Sequence, residues 1–220
     1  MTNAARKLDD SRRRLHQAAL RHVPFDGWTA ATLRRAATDA GIAPEAARRA
    51  FPDGAHGLLD FHLREADRAM VEGLEELDLF SMKMPERVAA AIRLRLEAAA
   101  PHREAARRTL ATLALPGHAP LAIKSLARTV DAVWRAVGDR TTDFSWYTRR
   151  ATLAAVYMST LLFWLNDESE ESAETWAFLE RRLAGVMRFH RAKGEFRKAA
   201  ERARDLGKVG GWLRRFREAV

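Results

Sequence analysis

The 220-residue sequence contains no cysteine, so disulfides and thiolate metal centres are excluded. It has only 7 Pro and 12 Gly, and alternating apolar and polar runs of strand type are hard to find. No apolar stretch reaches the roughly 20 residues that a membrane-spanning helix needs. The first residues lack the continuous apolar core of a secretory signal, which predicts a protein made and kept inside the cell. Catalytic constellations are missing as well. His16, His22, His56, His62, His102, His118 and His190 are scattered, and none follows a Glu at the three-residue spacing of a di-iron bundle site. Neither a zinc-protease helix, a phosphate-cradling glycine loop nor a nucleophile elbow occurs, so no enzyme, cofactor or metal site is expected. The acidic run Asp167, Glu168, Glu170, Glu171 and Glu174 lacks the alternating ligands and turn glycine of a calcium loop, and reads as solvated.

What is present is 47% apolar and 30% charged residues, enough for one large domain, or one domain with a small appended module, to bury about 70% of its unfolded surface. The net charge of +9 invites a nucleic-acid reading, and its location argues against one. Residues 1–60 hold 10 Lys or Arg against 7 acids, residues 61–187 hold 17 against 18, and residues 188–220 hold 11 against 4. The positive charge is therefore concentrated in the tail, where a DNA-binding head would carry it itself.

Abundant Ala and apolar residues at helical spacing predict an all-α fold. Leu8, Leu15, Ala18, Ala19 and Val23 mark a first helix expected to stop before Pro24. Thr29 is a candidate cap for a second, ended by Gly41, and Pro44 opens a short third helix through Phe51. This is a helix-turn-helix head of the kind that places a helix in the DNA major groove. Its third helix offers only Arg48 and Arg49, with no Asn, Gln, Ser, Thr or Tyr to read base edges, so these arginines read as solvated charge, with phosphate contact the alternative. Further helices are expected at about Gly57 to Leu79, Pro85 to Ala100, His102 to Leu115, Pro120 to Val137, Ser145 to Leu165 and Glu171 to Lys193. Three parts follow: a head at 1–54, a larger helical domain at 55–193 and a tail at 194–220.

The stretch ATLAAVYMSTLLFWL, Ala151 to Leu165, is apolar on every side, which predicts a helix buried all round. Close packing is the ordinary state of such an interior, with a cavity as the alternative. Just before it, Asp143-Phe-Ser-Trp146-Tyr147-Thr-Arg149-Arg150 concentrates aromatic and charged residues, types that serve in core packing and at interfaces alike. In the tail, Val209, Trp212, Leu213, Phe216 and Val220 recur at helical spacing among Lys208, Arg214, Arg215 and Arg217. That pattern predicts a basic amphipathic helix lying reversibly on an anionic membrane, with docking on its own domain or an acidic partner as the alternative.

As a set, HVPFDGW at 22–28, Gly138-Asp139-Arg140, the aspartate-to-WYTRR motif at 143–150, Leu153-Ala154, Asp167 and Thr175-Trp176-x-Phe178-Leu179-x-x-Arg182 resemble the ninth accessory protein family of coenzyme Q (ubiquinone) biosynthesis. The resemblance runs from about Arg12 to the tail. It is carried by helical pattern alone over 55–120, and the loop after Asp167 reads Glu-Ser-Glu-Glu-Ser-Ala where the family has a Ser-Pro-Asp-Phe-like turn. It implies a TetR-like homodimer that no longer regulates transcription and instead binds isoprenoid quinone intermediates or phospholipid in an apolar cavity. Such a protein would present its guest to the di-iron demethoxyubiquinone hydroxylase. Partner-binding residues implied by the resemblance are Asp131, Trp134, Asp143, Trp146 and Tyr147, with Arg150 of the same motif added. Membrane binding falls to Trp212, Leu213, Arg214, Arg215, Phe216 and Arg217. Trp134, Tyr157, Thr160, Leu161, Trp164 and Phe178 are candidate lipid contacts by type and place. No organellar presequence precedes the head, which points to a bacterial cytoplasmic form held peripherally at the inner membrane. The alternative function is a ligand-responsive TetR-type DNA-binding repressor.

Overall fold

The structure, a computed structural model, describes residues 3–138 and 145–188, the side chains of Ser145 and Trp146 excepted. Within these residues the chain is helical and has no strand. The helices are α1 Asn3–Asp26, α2 Ala30–Asp39, α3 Pro44–Ala50, α4 Gly54–Glu75, α5 Met84–Glu97, α6 Arg103–Leu113, α7 Ala119–Ala136, α8 Ser145–Leu165 and α9, residues 173–188.

In the head, the Thr29 hydroxyl accepts from the Thr32 backbone N–H at 3.2 Å and so caps α2. Gly41, with φ +61°, ends it. The first helix does not stop before Pro24; it continues to Asp26. Proline in a final turn removes only one N–H, and Gly27 at φ +65° closes the helix by donating to the Val23 carbonyl at 2.9 Å. Leu15, Ala19, Val23, Ala36, Ala50 and Phe51 form the head core, which runs on into Leu58 and Leu59 of α4. The HVPFDGW segment is the joint between head and body. Trp28 is buried and its indole N–H donates to Thr109 of α6 at 2.8 Å, while Arg108 donates to the Pro24 carbonyl at 3.0 Å.

A second core, with Met70, Leu74, Ile92, Val130, Val133, Leu153 and Trp164, fills the body. The helix α8 is not buried all round. Leu153, Val156, Tyr157, Thr160, Trp164 and Leu165 face inward, while Ala151, Ala155 and Leu162 are exposed. Apolar character on every side therefore reflects two different surroundings, the domain core on one face and, among the described residues, an exposed strip of mostly small side chains on the other.

Candidate functional site: an apolar cavity with one polar wall

Helices α1, α4, α5, α6, α7 and α8 enclose a cavity of about 700 Å³, within the ~300–1,000 Å³ common for small-molecule sites. Most of its wall is aliphatic or aromatic, including Leu20, Leu63, Leu96, Leu110, Leu126 and Met158. The helical period explains this. Positions spaced three and four apart on each of these helices point inward, and most carry Ala or Leu, so the wall is apolar yet leaves volume unfilled. Ile123, a lining residue that is 71% exposed, marks its mouth.

One wall is polar. His16 Nε2 of α1 lies 2.9 Å from His62 Nδ1 of α4, so one ring donates and the other accepts. Burial pushes the His16 imidazole down to about 4, helped by nearby His102. Burial also pushes His62 well below the ordinary histidine range, with His16, Arg95 and His102 acting in the same direction. Both rings are therefore neutral at physiological pH. Behind them, buried Asp67 accepts from Arg95 Nε at 3.1 Å, Arg128 Nε at 3.0 Å and the Thr129 hydroxyl at 2.7 Å. Arg128 also reaches Asp60 at 2.9 Å. Glu65 at the cavity edge pairs with Arg68. Among the described residues no group of three or more His, Asp or Glu side chains is placed to hold a metal ion.

Of the six candidate lipid contacts, Tyr157 and Leu161 line this cavity. Trp134 lines a second, smaller pocket of about 190 Å³ between α5, α7, α8 and α9, where its buried indole N–H has no partner among the described residues. Thr160 is buried and donates to the Val156 carbonyl at 2.8 Å. Trp164 is buried beneath the Arg103 guanidinium, 4.6 Å from its ring, and Phe178 stacks on Phe163 at 4.7 Å. The polar wall itself, His16, His62, Asp67 and Arg95, was not singled out from sequence. The signal was there: Asp67 stands on α4 between Leu63 and Met70, and Arg95 between Ile92 and Leu96, charged residues on inward-facing helical positions.

Of the six candidate partner-binding residues, Asp131 and Arg150 pair across α7 and α8 at 2.6 Å. Tyr147 is 72% exposed nearby. Asp143 and the side chain of Trp146 lie outside the described residues, as do all six membrane-binding candidates from Trp212 to Arg217. No helix of the described residues is long and apolar enough to cross a membrane.

At the end of α8, Asp167 organises the loop that departs from the family pattern. It accepts from the backbone N–H and hydroxyl of both Ser169 and Thr175. Burial alone would raise its pKa, but these donors outweigh burial and hold the carboxyl at about 2. Within the loop, Glu171 and Ser172 adopt left-handed backbone at φ 50° and 59°, and Arg103 donates to the Asp167 carbonyl at 2.6 Å and the Ser172 hydroxyl at 2.9 Å.

In fold this is a TetR-like protein. The chain superposes on the crystal structure of the TetR transcriptional regulator from Nitrosomonas europaea with a TM-score of 0.66 at 24% identity, over 80% of this chain and 97% of that one. Residues 119–190 match the COQ9 family model. The chain is 36% identical over 187 residues to the mitochondrial ubiquinone biosynthesis protein COQ9 of Homo sapiens, covering 82% of this chain and 59% of that protein. It is 34% identical over 181 residues to its Drosophila melanogaster counterpart, covering 80% of this chain and 55% of the relative. It is thus a homologue of the COQ9 proteins over the region they share, and it spans little more than half of their length.

Proposed function

We propose that the protein is a non-enzymatic accessory protein of ubiquinone biosynthesis that binds isoprenoid quinone intermediates, and by the same means phospholipid, in the α1/α4–α8 cavity. The observation that carries this reading is the cavity itself: about 700 Å³, walled by Leu, Ala, Met and Tyr, and open beside Ile123. An isoprenoid chain gains about 0.8 kcal/mol per buried methylene there and needs few polar contacts to be held. Homology to proteins named for ubiquinone biosynthesis supplies the guest. The third head helix supports an accessory role over a repressor's, because Arg48 and Arg49 are its only side chains suited to a base edge, and exposed Arg48 lies 2.9 Å from the Glu45 carboxylate.

On this reading Tyr147 and the Asp131–Arg150 pair form part of the surface offered to the demethoxyubiquinone hydroxylase, together with Trp134, Asp143 and Trp146. The basic segment around Trp212 to Arg217 rests on the inner face of the membrane of a bacterial cell, and the protein works as a homodimer. Replacing Ala106, which lines the cavity on α6, with Phe tests the central step. Binding of a short-chain ubiquinone, followed by quenching of tryptophan fluorescence, is expected to weaken at least about tenfold with helicity retained. Unchanged binding in Ala106→Phe would place the guest elsewhere.

A further inference from the structure

The charged part of the cavity wall is balanced. Asp60 and Asp67 are matched by Arg95 and Arg128, and Glu65 pairs with Arg68. The hydroxyls of Thr109, Ser125 and Thr129, all in the wall, are spent on the Ala105 carbonyl, the Ala122 carbonyl and Asp67. The histidine pair differs. Its one bond, 2.9 Å between His16 Nε2 and His62 Nδ1, uses one nitrogen of each ring. The outer nitrogens, Nδ1 of His16 and Nε2 of His62, have no partner among the described residues and keep accessible surface, and both residues line the cavity. With both rings neutral, this part of the wall offers hydrogen bonds without charge.

Two neutral imidazoles carry two N–H protons, and one of those protons sits in the bond between the rings. When His16 gives that proton, His62 Nε2 carries the other and His16 Nδ1 is a bare acceptor; when His62 gives it, the roles exchange. Either tautomer therefore presents one donor and one acceptor. A fully oxidised quinone brings acceptors only, so the bare nitrogen is left unpaired. A ring that carries a hydroxyl satisfies both nitrogens: the hydroxyl donates to the bare one, and another ring oxygen accepts from the N–H. Sites built to bond a hydroxyl discriminate against the analogue that lacks it, because a buried polar group then loses its partner. We infer that the cavity favours the reduced, hydroxyl-bearing form of its isoprenoid ring guest, with His16 and His62 holding the ring and Leu96, Leu110, Leu126 and Met158 holding the chain. The Tyr157 hydroxyl, also in the wall, can donate or accept and so suits either form. This inference rests on the reading of the cavity as a site for isoprenoid quinone intermediates, and names which form of the ring it takes.

The test is competition on the full chain without oxygen. A fluorescent isoprenoid analogue is bound first, then displaced by a short-chain ubiquinol, by the matching ubiquinone, or by the ubiquinol's dimethyl ether, which keeps the ring oxygens and lacks the hydroxyls. The ubiquinol should displace it at concentrations about tenfold lower than either of the others, the effect of pairing one buried acceptor. In His16→Leu/His62→Leu, with helicity retained, the three should converge; a preference that survives there overturns the role of the histidines. Ring-nitrogen NMR of the histidine-labelled wild-type chain checks that role without any substitution: ubiquinol should shift the His16 and His62 resonances, and unmoved resonances overturn it. If ubiquinone and the dimethyl ether match or surpass the ubiquinol on the wild-type chain, the selection for a hydroxyl is wrong while the lipid site stands. If none of the three displaces the analogue, the lipid reading of the cavity fails first.

Discussion

At the residue scale, the side chains that shape the site are those the helical pattern would have made apolar. His16 and His62 occupy inward positions on α1 and α4 and are held neutral by burial. Their folded-state pKa values lie below the ordinary 6.5 of the unfolded chain, so as pH falls the unfolded chain takes up protons first. Stability is therefore full above about pH 6.5 and declines as pH falls from 6.5 toward 4, where His16 also protonates in the fold. His16 alone contributes about 3 kcal/mol to that decline. Urea unfolding across this range should show the loss, and His16→Leu/His62→Leu should flatten it; a decline of equal size in the double variant would assign the effect to other groups. Sequence alone marks such residues as polar and inward-facing. It cannot show that His16 and His62, 46 positions apart, meet in one hydrogen bond, because that depends on how α1 crosses α4. The unfilled volume was equally hidden: Leu96, Leu110 and Leu126 line a void, while Leu58, Leu59 and Leu74 fill a core, with the same residue type in the same periodicity.

At the element scale, caps and stops were the legible part. Thr29, Gly41 and Pro44 mark their boundaries because one side chain or one backbone angle decides each. The bounds of α8, Ser145–Leu165, agree with the expected ones, whereas its surroundings do not. An apolar helix gives no moment from which to read which face is covered, so its bare strip at Ala151, Ala155 and Leu162 emerges only once α7 and α9 are in place. Small residues on an exposed helix face allow a second helix to approach closely, and a symmetric partner would pair this strip with its own copy. We propose the C-terminal part of this strip, Ala155 and Leu162, beyond the Tyr147 surface along the helix, as the interface of the homodimer. Ala155→Arg, which introduces a charge on exposed surface and should leave the monomer intact, is expected to shift the mass measured by light scattering from dimer to monomer at micromolar concentration. A dimer that persists unchanged would move the interface to another face.

At the scale of the whole molecule, the head and the body are joined where the cavity lies. His16, Gln17 and Leu20 of α1 line it, and Trp28 plugs the head into α6 just behind Thr109, another lining residue. The all-α class and the head-plus-body plan were legible because helical period and head caps are local signals. The cavity was legible only as an alternative, because a void is a property of several helices together. The proposed role rests on that void being filled by a hydrocarbon guest when the protein is taken from cells. Mass spectrometry of the organic-solvent extract of gently purified protein measures this directly. The account predicts an isoprenoid or other long-chain lipid present at close to one molecule per chain, and lost in Ala106→Phe. An extract free of lipid, from a protein that also fails to take up added isoprenoid quinone, would contradict it.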